Sequence, residues 1–129
     1  MAYYSNLEEI EKLKIFTKSS CDVQCNVIFC YDSRKFDSDI KKEIELFILR
    51  TLNEEVPKLK NKFSIAYVHN SLRNFLFFKN ILRLLPAPIM VKLGTIYLVE
   101  VGILVKIVEK LSFGAFNNFF DRKIEYAER

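Results

Sequence analysis

The sequence predicts an α/β fold, in which one domain holds a mixed β-sheet of about five strands flanked by helices. In the second half of the chain two apolar, strand-like runs, residues 63–70 and 95–101, are each followed by helix-like segments. A third run, residues 122–126, follows the last of them. This alternation indicates a sheet crossed by helices rather than a helical bundle. The first two runs are apolar on both faces, which is typical of strands covered on both sides.

Length and composition predict a single compact domain spanning residues 1–129. The chain has 129 residues, half of them hydrophobic, with 12 Phe against only 3 Gly and 3 Pro. Burial of that much apolar surface can offset the ordering entropy of the backbone, so a core can form without metals or disulfides.

The first elements along the chain are a short helix and a strand pair. Ser5 or Asn6 can cap a helix over residues 7–13, whose apolar side chains fall on one face. Residues 14–18 and 26–32 then form two strand-like runs. The polar segment between them predicts an antiparallel pair around a turn.

Residues 37–56 show the clearest helical pattern in the chain, and Pro57 marks its end. Its apolar residues form one stripe, with charged residues largely on the other face. The stripe consists of Ile40, Ile44, Phe47, Ile48 and Leu52. We expect this helix to cover one face of the sheet, with Phe47 in the core.

Two further helices are predicted in the second half. The first is capped by Asn70 or Ser71, runs to about Leu85 and stops before two prolines. The second follows the strand at residues 95–101 and is apolar on most sides. Together with the phenylalanines that follow it, this region holds more apolar residues than a small domain readily buries. Two readings stay open, an ordinary aromatic core and a surface that meets a ligand or partner.

The cysteines are predicted to be thiols rather than metal ligands. Cys21, Cys25 and Cys30 are spaced C-x3-C-x4-C, and His69 is the only histidine. This spacing matches no common zinc site, and an odd number of cysteines argues against a disulfide framework. We therefore expect no metal and no cofactor.

Catalytic motifs are also missing from the sequence. There is no Gly-rich phosphate loop, no G-x-S-x-G elbow and no H-E-x-x-H pair, and His69 is the only candidate base near neutral pH. These features predict a protein that is not an enzyme.

Charge and hydropathy limit the classes of partner. The net charge of +4 is spread among 16 acidic residues, so nucleic-acid binding is not favoured, whereas an anionic membrane surface is compatible. The polar N-terminus lacks the features of a targeting peptide and predicts a cytoplasmic protein, with peripheral membrane association as an extension. Charged residues exclude a membrane span at residues 89–111. They are Lys92, Glu100, Lys106, Glu109 and Lys110.

Five segments in order resemble the CRAL-TRIO lipid-binding domains, in particular the compact BCH subtype found beside Rho GTPase-activating modules. They are the strand pair KIFTKSSCDVQCNVIFCYD with Asp22 at its turn, the strand ending YVHN, the LRLLP helix end, the strand TIYLVEV and the closing NNFFDRKIEY. The family usually has His-Pro or Asn-Pro where this chain has Glu100-Val101. The resemblance covers most of the chain and rests on the order and spacing of the segments.

The resemblance implies a binding module that accommodates a lipid or a membrane surface beneath a gate-like helix at residues 103–113. The candidate lining from the gate is Ile103, Leu104, Ile107, Val108 and Leu111. The facing sheet would supply some of Ile65, Tyr67, Ile96 and Leu98. The alternative is a protein-interaction module, which binds a small GTPase as BCH domains can or serves as a small subunit of a larger assembly.

Overall fold

A computed structural model describes residues 2–22, 25–99 and 124–127 of the chain. The strands are β1 Phe16–Cys21, β2 Val27–Asp32, β3 Phe63–Val68, β4 Leu93–Val99 and β5 Ile124–Ala127. The α-helices are α1 Ala2–Leu13, α2 Lys41–Glu55, α3 Leu72–Arg83 and α4 Ala87–Met90.

The strands lie in the sheet in the order of the sequence, β1-β2-β3-β4-β5. β1 and β2 are antiparallel, whereas β2, β3 and β4 run parallel and make a four-stranded mixed sheet with β1. The short β5 pairs with β4, also in parallel. An α/β fold with a mixed sheet flanked by helices, as predicted, is therefore confirmed, as is the antiparallel pair at its start.

The first helix is longer than predicted. It begins at Ala2, so Ser5 and Asn6 lie inside it and do not cap it. It ends at Leu13, where Lys14 takes a left-handed φ of 58° and its N–H donates to the Glu11 carbonyl at 3.2 Å. Helices commonly end at a residue in this conformation, because it turns the chain away from the helix axis while its N–H still binds a terminal carbonyl.

The predicted helix over residues 37–56 consists of three consecutive pieces. A 3₁₀ turn, Ser38–Ile40, leads into α2, and a second, Val56–Lys58, contains Pro57 and ends the element. Ile44, Ile48 and Leu52 are buried as the stripe predicts. Phe47 is only partly buried, because it lies between this face and the groove beside α1 and β1. Phe47 therefore packs against the core, as expected, but is not fully buried within it.

Helix α3 begins where the sequence predicts. Ser71 caps it by accepting a hydrogen bond from the Asn74 N–H at 3.3 Å. The helix ends at Arg83, and a single-turn helix, α4, follows directly after Pro86. The two prolines were predicted only to stop α3, although proline is favoured in the first turn of a helix, where its missing N–H costs nothing.

One core lies between the helices and one face of the sheet. Each of the four α-helices in the described ranges contributes to it, for example through Ile10, Ile44, Phe75 and Ile89. The order of the parallel strands explains this arrangement. Right-handed crossovers from β2 to β3 and from β3 to β4 advance in the same direction, so they place α2 and α3 on the same face.

Of the two strands predicted to be covered on both sides, β3 is buried at every position except Ala66, whereas β4 is not. Its residues alternate, with Leu93, Ile96 and Leu98 buried and Tyr97 and Val99 partly exposed. Alternation of this kind is the pattern of a strand with one covered face. The β3–β4 register is irregular between Phe63 and Ile65, so the alternation along β4 changes phase at that point.

Candidate functional site

The two faces of the sheet differ in what lies against them. On the covered face the strands present Phe29, Tyr31, Phe63, Ile65, Tyr67, Leu93, Ile96 and Leu98, all of them 0–1 % exposed. On the other face they present five partly exposed residues, Ile28, Cys30, Ala66, Tyr97 and Val99, together with Ser64 and Val68, which are 0 % and 8 % exposed. Among the described residues, none of these five belongs to the hydrophobic core or packs against it. We refer to this second side as the uncovered face.

The four predicted lining residues of the sheet lie together on the covered face. Ile65 is the register partner of Ile96, and Tyr67 of Leu98. The ring of Tyr67 stacks on Phe78 of α3, with 4.7 Å between the ring centroids. All four side chains are 0–1 % exposed within the core, so a ligand could reach them only if the packing on this face opened. Their role as a lining stays a prediction. The gate residues Ile103, Leu104, Ile107, Val108 and Leu111 lie outside the described residues.

The uncovered face is a mainly apolar strip across the central strands. Cys30, Ala66 and Tyr97 are register partners on β2, β3 and β4, and so form a row perpendicular to the strands. Ile28 and Val99 flank that row at opposite ends. Parallel sheets are normally covered on both faces, so a face of this composition needs a cover from a ligand, a partner or another part of the chain.

A polar cluster lies beside this strip, at the turn that joins β1 to β2. The Asp22 carboxylate accepts hydrogen bonds from Ser64 Oγ at 2.9 Å and from the Tyr97 hydroxyl at 3.2 Å. Its other oxygen accepts from the Asn26 N–H at 2.9 Å. Hydrogen bonds to an ionised group are stronger than neutral ones, so this carboxylate fixes the orientation of Tyr97 on the uncovered face.

Gly94 allows this cluster to pack closely. A Cβ at that position would lie 3.2 Å from Asn26 Nδ2 and 3.3 Å from the Phe63 carbonyl oxygen. From the sequence, Asp22 was predicted only to be a turn residue. No local signal could have joined it to Ser64 and Tyr97, which are 42 and 75 residues away.

Buried polar groups without partners lie on the other side of the sheet. The hydroxyls of Tyr31 and Tyr67 and Nδ1 of His69 make no hydrogen bond in the described part of the chain. The two tyrosine rings stack with 5.7 Å between centroids, and the rings of Tyr67 and His69 lie 6.0 Å apart. Ser33 is near but donates its proton to the Val68 carbonyl. Groups of this kind are normally satisfied by an ordered water.

Burial governs the ionisation of these three groups. It raises the pKa of Tyr67 to about 12, with the Ser33 side chain partly opposing the rise, and it raises the pKa of Tyr31 further. It lowers the pKa of His69, which favours the neutral imidazole. Since Nδ1 of His69 has no described partner, no described carboxylate orients the ring as a catalytic base would require. The prediction that the chain is not an enzyme stays a prediction.

We expect the stability of the protein to fall as the pH rises from about 10 towards 12. The unfolded chain releases the Tyr67 proton near the ordinary pKa of 10.0, whereas the folded state holds it to about 12. The stabilisation that this pKa difference provides is therefore fully present below pH 10.0, and it is lost as the pH rises to about 12. Urea unfolding across this range measures the decline, which should be smaller in Tyr67→Phe. Identical declines in the two proteins would contradict it.

A basic depression of about 580 Å³ lies at the carboxyl ends of the parallel strands. It is lined by Arg34, Lys35 and Arg73, with Asp37 among them. The guanidinium of Arg34 already holds Asp32 through two contacts, of 2.8 and 2.9 Å, which keep the pKa of that carboxyl below its usual value. The chain's own carboxylate therefore engages one of the three cations.

A second groove, of about 550 Å³, lies between α1, β1 and α2 and carries charges of both signs. Lys18 lies 3.7 Å from Glu55 and Arg50 lies 2.9 Å from Glu54, so much of that charge is paired internally. Exposed pairs of this kind contribute little energy. The groove shows no preference for one class of ligand.

The cysteines are free thiols. Cys21 and Cys25 are exposed, and Cys30 is partly buried on the uncovered face. Within the described ranges no three of the His, Cys, Asp and Glu side chains come together as metal ligands would.

Comparisons with known proteins add no assignment, since no family model and no curated protein matches the chain. In the described parts of the chain, none of the helices has the length and apolar character needed to cross a membrane.

Proposed function

We propose that the protein is a non-catalytic binding module that accommodates a lipid-like apolar ligand on the uncovered face of its sheet. The observation that carries the proposal is the row Cys30, Ala66 and Tyr97, with Ile28 and Val99 beside it, which lies outside the core formed by the described residues. Binding an apolar ligand there would remove the strip from water, which is favourable by roughly 25 cal/mol per Å² of apolar surface.

The arrangement of polar and apolar groups supports an amphipathic ligand. The strip is apolar except for the Tyr97 hydroxyl, which binds Asp22 at one side of the strip, where Ser64 also binds Asp22. An acyl chain would lie along the strip, while hydroxyl or amine groups of a headgroup would lie beside the acceptor oxygens of the cluster, whose Ser64 and Tyr97 protons are donated to Asp22. Small numbers of placed polar groups within an apolar lining are typical of such sites.

The likeness to CRAL-TRIO domains, in the compact BCH-like form, points in the same direction. On this proposal β5 is the fifth strand of a CRAL-TRIO-like sheet, and residues 103–113 form the gate that closes over the ligand. The strip on the uncovered face replaces Ile65, Tyr67, Ile96 and Leu98 as the sheet side of the site, because those four are buried in the core.

Adjacent residues of β3 provide a matched pair of variants. Ala66→Asp places a carboxylate on the uncovered face, where water can reach it, whereas Ile65→Asp places one in the core at a position 1 % exposed. We expect Ala66→Asp to fold and to lose its co-purifying lipid, since an unpaired charge is unfavourable in an apolar contact. Ile65→Asp should fail to fold. Ile107→Asp should also lose lipid if residues 103–113 close the site.

Native mass spectrometry after gentle purification measures the ligand, and thermal melting measures the fold. A lipid retained by the parent protein and lost in Ala66→Asp supports the proposal. A parent protein free of lipid, or an Ala66→Asp variant that keeps it, contradicts it. A stoichiometric protein in place of lipid would favour the alternative of an interaction module for a small GTPase or a larger assembly.

A further inference from the structure

Two connections meet at the amino ends of β3 and β4. The first, residues 56–62, enters β3, and the second, residues 83–92, enters β4. The Lys92 ammonium group donates to the carbonyl oxygens of Leu59 at 2.7 Å and Val56 at 3.4 Å. The Phe63 N–H donates to the Lys92 carbonyl at 2.8 Å. The two connections therefore form one continuous surface, which we call the basal surface.

The centre of the basal surface is apolar and exposed. Leu84 is 55 % exposed and Val91 is 64 % exposed, the two highest values among the large hydrophobic side chains described. Pro86, Ala87 and Pro88 between them are exposed as well. Isolated exposed apolar residues are ordinary, but a group within one short connection indicates a site of contact.

This apolar group is held rigidly. Ile89, on the inner side of α4, is buried in the core, and the N–H groups of Ile89 and Met90 both donate to the Pro86 carbonyl at 3.0 Å. The exposed side chains thus project from an anchored turn. A preorganised surface of this kind loses little conformational entropy when it binds.

The charge around the apolar group has one sign. Lys58, Lys60, Lys62 and Arg83 are exposed, and residues 56–62 and 83–92 contain no acidic residue. Lys58 contacts Glu55, which lies outside the surface, at 3.1 Å. Lys79, four residues before Arg83, has a pKa lowered first by burial and then by that neighbouring cation. The surface thus carries positive charge that an anionic partner would complement.

We propose that the basal surface docks on an anionic lipid bilayer, with Leu84 and Val91 entering the boundary between headgroups and acyl chains and the lysines meeting the headgroups. Exposed aliphatic side chains flanked by basic residues are the combination that holds peripheral proteins on such membranes. The inference extends the proposed function by naming where the protein would meet the membrane that supplies its ligand.

Sedimentation with phosphatidylcholine vesicles, with and without phosphatidylserine, tests the proposal on the full chain. The parent protein should bind the vesicles that contain phosphatidylserine. The double variant Leu84→Ser/Val91→Ser should bind roughly tenfold more weakly, because each side chain would bury about half of its surface on insertion. At low salt, Lys60→Gln/Lys62→Gln should bind these vesicles roughly tenfold more weakly than the parent protein, or more weakly still. This difference in affinity should shrink as added salt screens the charges.

A matched control uses exposed leucines elsewhere. Leu13 and Leu46 are 40 % and 38 % exposed and lie on α1 and α2, so Leu13→Ser/Leu46→Ser should leave vesicle binding unchanged. No binding by the parent protein, unchanged binding in Leu84→Ser/Val91→Ser, or an equal loss in the control would overturn the proposal. Co-purified lipid, measured separately, reports on the sheet face. Its absence alongside intact vesicle binding would refute the proposed function and leave the docking surface standing.

Discussion

Replacing Tyr67 by alanine is expected to lower the free energy of unfolding by about 3–5 kcal/mol, as is usual for truncating a buried aromatic side chain. Tyr67 is 0 % exposed and its ring contacts Tyr31, Phe75 and Phe78. Since an ordinary domain is stable by only about 5–15 kcal/mol, this loss would be a large part of the total. Denaturant unfolding of the purified variant measures it.

Tyr67→Phe is the matched control for this change, because it keeps the ring and removes only the hydroxyl. That hydroxyl is buried and has no hydrogen-bond partner in the described part of the chain. Its removal should leave stability unchanged or raise it, since an unsatisfied buried polar group costs about 1–3 kcal/mol. A clear loss in Tyr67→Phe would show that the hydroxyl is satisfied, for instance by an ordered water.

The second large effect is expected at Asp22. Its carboxylate accepts from Ser64, Tyr97 and the Asn26 N–H and so ties the β1–β2 turn to β3 and β4. Asp22→Ala should lower the free energy of unfolding by about 2–4 kcal/mol, less than the sum of three charged hydrogen bonds because the site is partly open to water. Chemical denaturation at neutral pH provides the measurement.

A double-mutant cycle with Tyr97→Phe separates the contribution of the hydroxyl from that of the rest of the cluster. If Asp22 and Tyr97 act together, the double variant should lose less than the sum of the two single variants. A loss below about 0.5 kcal/mol in Asp22→Ala, typical of a surface change, would mean that the cluster does not hold the turn. The same Tyr97→Phe variant, tested for retained lipid, shows whether the hydroxyl also contributes to binding.

The two proposals concern different parts of one sheet. The uncovered face lies along the strands, whereas the basal surface lies at their amino ends, where the lysines of residues 56–62 meet the exposed turn of α4. A module that takes an apolar ligand from a membrane needs both a place for the ligand and a surface that holds the protein on the bilayer. The variants at Ala66 and at Leu84 with Val91 test these requirements separately.

Several elements follow from local sequence alone. The stripe of Ile44, Ile48 and Leu52 repeats at helical spacing, so it predicts both α2 and its buried side. The Ser71 side chain caps α3 by accepting a hydrogen bond from Asn74, which is only three residues further along the chain. The β1–β2 hairpin was predicted from the two strand-like runs at residues 14–18 and 26–32. This is also a local signal, since a tight turn pairs strands that are neighbours in sequence.

The tertiary structure alone decided which face of each strand is buried. Ile65 and Ala66 are equally suited to a core by composition, and the crossovers that carry α2 and α3 to one face bury the first and leave the second partly exposed. Phe47 belongs to the same helical stripe as Ile48, yet the position of α1 beside α2 leaves it at a groove. The contacts of Asp22 with Ser64 and Tyr97 span 42 and 75 residues. A local pattern cannot contain such contacts, because the folded sheet brings the three residues together.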